Sequence, residues 1–122
     1  MARRKKATSE NPEGAAGEKP AAEPSLSKIG VALVGAGDIG SARAEAVAKT
    51  HALKLVTVAD LRSESAHEVA QRLGAVATTD WEAAVTRDDV SLVIVSTPPP
   101  AHAEVAHRAF AAGKHVLCEK PL

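Results

Sequence analysis

A chain of 122 residues, 45% hydrophobic and with 15 basic against 15 acidic side chains, has room for one globular domain and carries no net charge to draw in nucleic acid. Only Trp81 and Phe110 are aromatic, so base-stacking platforms are not expected either. No apolar run approaches the roughly 18 residues of a membrane span, and the basic N-terminus leads into Pro, Glu and Gly instead of a signal-peptide core, so no membrane contact and a cytoplasmic location are expected.

Residues 1–27 are rich in Ala, Glu, Lys, Pro, Gly and Ser and nearly lack large apolar side chains. They cannot bury enough surface to offset the entropy of ordering, which predicts a disordered tail. Its Arg3-Arg4-Lys5-Lys6 cluster is largely cancelled by Glu10, Glu13, Glu18 and Glu23.

From Lys28 the composition shifts to strand-like runs alternating with helical stretches, the pattern of parallel β-α units. The first strand, Ile29 to Val34, runs into Gly35-Ala36-Gly37-Asp38-Ile39-Gly40. A helix from about Ile39 to Thr50 follows, with Ile39, Ala42, Ala46 and Val47 expected to face the sheet. Leu53 to Ala59 reads as a strand covered on both faces and ends in Asp60. Ser63 or Ser65 can cap the second helix, and since Ser65 and Glu68 have capping-box spacing it is placed at about Ser65 to Leu73, stopped by Gly74.

A short strand, Ala75 to Thr78, leads to Asp80 as the cap of a brief helix through Val85. Leu92 to Ser96 is the fourth strand, halted at Thr97-Pro98-Pro99-Pro100 because prolines lack the N–H a ladder needs. A fourth helix, about Ala101 to Ala112, stops at Gly113, and a fifth strand, His115 to Cys118, precedes Glu119-Lys120-Pro121-Leu122. The single cysteine, Cys118, excludes a disulfide framework and reads as a buried reduced thiol. The fold class is therefore α/β, a doubly wound parallel sheet of about five strands over residues 28–122.

In such a sheet ligands bind beyond the carboxyl ends of the strands, where strand order reverses. The glycine turn, Asp60, Ser96 to Pro100 and Glu119 to Pro121 all fall at such ends. A lone G-x-G-x-x-G is weak, but here a strand precedes it, a helix follows, and an acid at a strand end lies 20 residues beyond Gly40. The chemistry such a turn suits is cradling the pyrophosphate of a dinucleotide, the other reading being a purely structural βα turn. Gly35 permits the sharp turn, Gly37 lets backbone approach the pyrophosphate, Gly40 lets the helix pack on the strand, and the helix N-terminus attracts the anion. A methyltransferase binding a nucleoside without phosphates is the nearest rival.

Asp60 should accept from the adenosine ribose hydroxyls, the other use for it being a turn cap. A carboxylate about 4 Å from a 2′-phosphate is repelled by about 4 kcal/mol per unit charge at an effective dielectric near 20, which favours NAD. Arg62, as a solvated loop charge, leaves that preference intact; swung inward it would pair with the phosphate and admit NADP. The five histidines show no zinc spacing, since the nearest pair, His102 and His107, is five apart. His102 either reaches the cofactor or is an exposed first-turn residue.

VGAGDIG near the start, VSTPPPAHAEVA after the fourth strand and AGKHVLCEKPL at the end resemble the Gfo/Idh/MocA family of NAD(P)-dependent oxidoreductases, over Lys28 to Leu122. The resemblance implies an N-terminal Rossmann domain in which Gly35, Gly37, Asp38 and Ile39 line the pyrophosphate and Asp60 holds the ribose. It further implies that Ser96, Thr97, Pro98 and His102 border the cofactor and that Glu119 approaches the nicotinamide. Lys120 would be catalytic, hydrogen-bonding the substrate oxygen, with Pro121 following a cis peptide bond. Hydride would move to or from a sugar or polyol hydroxyl carbon. The family continues into a substrate domain that also supplies dimer contacts, so the expectation for this chain is a fragment that binds cofactor without turnover, the small-molecule substrate being met only in a full-length form. A free-standing dinucleotide sensor or interaction module is the alternative.

Overall fold

In the computed structural model residues 28–119 are described, so the expected tail and Lys120 to Leu122 lie outside the described residues. Strand β1, Ile29–Val34, is the centre of the sheet, and all of it past Ile29 is buried. Its side chains alternate between two cores: Val31 and Leu33 pack on one face, Ala32 and Val34 on the other. Both faces are therefore apolar, as a doubly covered strand requires.

Around β1 stand β2, Leu53–Ala59, β3, Val76–Thr78, β4, Leu92–Val95, and β5, His115–Cys118. The sheet order is β3-β2-β1-β4-β5 and every pairing is parallel. After β3 the chain crosses back over the sheet to place β4 on the other side of β1. Strand order thus reverses between β1 and β4, and the crevice for a ligand opens there.

Helices α1, Asp38–Ala48, and α2, Ser63–Leu73, cover one face through Ala44, Val47, Ala66, Val69 and Ala70. Helices α3, Trp81–Val85, and α4, His102–Ala111, cover the other through Ala84, Val85, Val105 and Ala109. Leu33 is fully buried in the core that α1 and α2 cover, and burial of such a side chain stabilises by about 1.5–3 kcal/mol. Among the described residues no helix is long and apolar enough to cross a membrane.

Several local expectations are corrected. Gly40, Ala44 and Val47 form the buried face of α1, whereas Ala42 and Ala46 are exposed and Ile39 is 58% exposed. The phase is set by Gly40: a Cβ there would lie 1.9 Å from the Gly35 carbonyl oxygen, so the helix is rotated to bring its bare glycine against the strand end. α2 starts two residues before the expected capping box, with Arg62 at the N-cap and no side-chain cap bond. Its C-terminus is as expected, Gly74 taking the left-handed conformation at φ 75°. Asp80 caps α3, its Oδ1 accepting from Ala83 N at 3.2 Å. A 3₁₀ turn, Pro99–Ala101, precedes α4, because the proline-rich entry tightens the first turn. Cys118 is half-buried and not enclosed, since β5 borders the sheet among the described residues.

Candidate functional site

The carboxyl ends of β1, β2 and β4 enclose a cleft of about 690 Å³. The main chain forms its floor. Gly35, at φ 100°, turns the backbone where a Cβ would meet Ser96 backbone atoms at 2.6 Å, so only glycine lets the ends of β1 and β4 come this close. Gly37 is different in kind: a Cβ there would meet nothing within 4 Å, so open space lies above it. It is also the N-cap of α1, and no side chain caps that helix. The first-turn N–H groups are thus left for an anion, together with the positive end of the helix dipole.

Asp60 forms the next wall. Its Oδ2 accepts from Ala36 N at 2.7 Å and its Oδ1 from Arg62 N at 2.8 Å, so the carboxylate is pinned between the glycine turn and the entry to α2. Each oxygen retains acceptor capacity, and a ribose hydroxyl is a suitable donor. Arg62 also lines the cleft. Ser96, Thr97 and Pro98 line the opposite wall, where the Ser96 Oγ and Thr97 Oγ1 atoms are buried without a hydrogen-bond partner. An unpaired buried hydroxyl costs about 1–3 kcal/mol, so a polar ligand that supplies partners is favoured here. The uncapped helix end, the open space over Gly37 and these two hydroxyls together fit a dinucleotide.

Of the candidates read from the sequence, Gly35, Gly37, Asp38, Ile39, Asp60, Arg62, Ser96, Thr97 and Pro98 come together around this one cleft. Gly40 lies beneath it as the contact between α1 and β1. His102 is 5% exposed and sits behind the proline loop, its Nε2 2.6 Å from the Thr97 carbonyl oxygen. A carbonyl only accepts, so Nε2 carries the proton, and the ring steadies the Ser96 to Pro98 wall instead of facing solvent. Lys120 falls outside the described residues.

Glu119 continues the β5 ladder, its N–H donating to Val95 O at 3.0 Å, and its carboxylate is gripped by Arg43 of α1. Arg43 Nε bonds one oxygen and Nη2 bonds the other at 3.2 Å. That partner raises the Arg43 pKa further, by hydrogen bonding first and by its charge second.

Sequence reasoning missed Leu61, Thr79, Trp81, Ala101, Glu104 and Val105, which also line the cleft. Leu61 and Trp81 had a signal: each directly follows an aspartate at the carboxyl end of a strand. Thr79 comes with the end of β3, and Ala101, Glu104 and Val105 are brought in by the 3₁₀ turn and α4, a tertiary placement that no local pattern encodes.

A parallel sheet with a switch point, an open helix N-terminus and an acid at the end of the second strand defines a dinucleotide-binding α/β domain. The model of the Gfo/Idh/MocA family, an oxidoreductase family with an NAD-binding Rossmann fold, matches residues 29–122, and the chain belongs to that family. It is 40% identical over 93 residues to 4-carboxy-2-hydroxymuconate-6-semialdehyde dehydrogenase of Sphingobium sp., covering 75% of this chain and 30% of that protein. It is 38% identical over 96 residues to inositol 2-dehydrogenase of Rubrobacter xylanophilus, covering 78% and 28%.

Among solved structures, GenD2 from gentamicin A biosynthesis, in complex with NAD, superposes with a TM-score of 0.77 at 36% identity, covering 87% of this chain and 30% of that one. KijD10, a 3-ketoreductase from Actinomadura kijaniata in complex with NADP and TDP-benzene, gives 0.73 at 36%, covering 79% and 30%. Homologous structures therefore hold NAD in one case and NADP in the other. The chain spans 28–30% of the length of these two curated relatives.

Proposed function

We propose that the cleft binds NAD as the cofactor site of a dehydrogenase acting on a hydroxyl-bearing carbon of a sugar or polyol. The observation that carries this is the pairing of the uncapped α1 N-terminus beneath open space at Gly37 with the pinned carboxylate of Asp60. Backbone N–H groups from Gly37 to Ile39 would hold the pyrophosphate. Asp60 would take the adenosine ribose, with Arg62 beside it, and Ser96, Thr97 and Pro98 would border the other half. NAD supplies hydride transfer, and the protein supplies binding and orientation.

The fixed charge of Asp60 favours NAD over NADP by repelling a 2′-phosphate. The inositol 2-dehydrogenase relative supports a polyol substrate. By family resemblance Lys120 would manage the hydroxyl proton. Since the match covers less than a third of the relatives' length, the 122-residue chain alone is expected to bind cofactor without turning over substrate. Incubation of the purified chain with NAD and myo-inositol or a panel of sugars, followed at the NADH absorbance, should show no steady reduction. Sustained NADH formation would contradict the assignment of this chain to the cofactor part only.

A further inference from the structure

Resting on the dinucleotide reading above, we propose that Arg43, through its fork on Glu119, is a positioning residue for the nicotinamide half of the cofactor site.

The two ends of the cleft are not equivalent. Asp60 stands at the end of β2, so a dinucleotide with its pyrophosphate over α1 has its adenosine on the β2 side. The other nucleoside then lies over the ends of β4 and β5. Glu119 is on that side, held in line with β4 by its bond to Val95 O. Strand β5 pairs only with β4 among the described residues, and Leu117 on it is half exposed. Val116 and Cys118 anchor the strand on the core that includes Val105 and Ala109 of α4, and Glu119 follows its last residue.

Arg43 adds a restraint on the Glu119 carboxylate itself. It projects from the helix whose N-terminus is the phosphate seat and takes both carboxylate oxygens of a residue 76 positions away. A bidentate fork fixes orientation as well as distance. The side chain of Glu119 is only 15% exposed, whereas that of Arg43 is 49% exposed, and partly solvated pairs of this kind contribute little to stability. What the pair adds is placement: the phosphate helix and the nicotinamide wall become one unit. The Arg72–Glu45 pair is chemically alike but joins α2 to α1 away from the cleft, which makes it the control.

The test compares NADH with ADP-ribose, which lacks the nicotinamide, on the full 122-residue chain. Arg43→Ala should weaken NADH binding by about fivefold and reduce the enhancement of NADH fluorescence, while ADP-ribose affinity changes by less than about twofold. Arg43→Lys, a point charge in place of a planar fork, should fall between. Glu119→Gln preserves shape and should show the same selective loss, which keeps the test decisive if Arg43→Ala folds poorly. Arg72→Ala should leave both ligands unaffected. Parallel loss of NADH and ADP-ribose would reduce the pair to a general structural contact and overturn the proposal, as would unchanged NADH binding. Failure of the unmodified chain to bind either ligand would instead remove the dinucleotide reading itself.

Discussion

Asp60 and Ala36, 24 residues apart in sequence, are joined by a 2.7 Å hydrogen bond from the Ala36 N–H to the Asp60 carboxylate. One side chain thus shapes the glycine turn and faces the expected ribose. Asp60→Ala removes both functions and should lower NAD affinity by about tenfold or more. Asp60→Asn keeps an acceptor for Ala36 N but no charge, so its preference for NADP over NAD should rise by about tenfold. Parallel titrations of both variants with NAD and NADP check this. An unchanged NADP to NAD ratio in Asp60→Asn would mean the carboxylate does not read the ribose.

The glycines of the turn should separate by experiment. At Gly40 a Cβ would sit 1.9 Å from the Gly35 carbonyl oxygen, so Gly40→Ala must push α1 from the sheet, at a cost of about 1–3 kcal/mol or more. At Gly37 a Cβ meets nothing within 4 Å and φ is −75°, which alanine accepts. Gly37→Ala should change stability by less than about 0.5 kcal/mol yet weaken NAD binding, because the methyl group enters the phosphate space. Thermal unfolding beside NAD titration distinguishes the two. Equal melting temperatures for both variants would contradict the assignment.

The Cys118 thiol has its pKa raised, first by burial and second by the charge of Glu119. The folded chain therefore holds this proton more tightly than the unfolded chain. The associated stability is present below the unfolded thiol value and is lost as pH rises through the higher folded one. Iodoacetamide at pH 8 should modify Cys118 several-fold more slowly in the native chain than in denaturant, roughly as its thiolate fraction falls. Equal rates would show the strand end to be open.

Lys114 offers a stability test apart from the cleft. Its Nζ donates to the carbonyls of Arg87 at 2.7 Å and Val90 at 2.6 Å, closing the loop between α3 and β4. Lys114→Met should cost about 1–3 kcal/mol by leaving these acceptors unpaired, with NAD affinity unchanged. A chemical denaturation midpoint measures the first effect and a titration the second. A matching loss in NAD affinity would place the loop in the binding machinery.

The sheet was legible because its cause is local: aliphatic runs such as Leu92 to Val95, ended by proline or glycine, read as buried strands without tertiary information. Gly74 and Asp80 were readable as helix ends for the same reason. The face of α1 was not, because its rotation is decided by a backbone contact between Gly40 and Gly35 and not by the most apolar side chain, Ile39. The start of α2 was misplaced because Asp60, outside the helix, binds Arg62 N and displaces the expected serine cap. The Arg43–Glu119 fork left no trace in spacing, since the fold alone brings the residues together. Position in sequence singled out nine residues that line one cleft; the direction in which each side chain points came from packing.

The most direct test of the central claim is a titration of the isotopically labelled chain with NAD, following its backbone amide resonances. Binding in the cleft predicts saturable shifts at Gly37, Asp38, Ile39, Ser96 and Thr97, with the outer face of α2 unmoved. Absence of shifts at a saturating NAD concentration, or shifts confined to residues away from the carboxyl ends of β1 and β4, would contradict it.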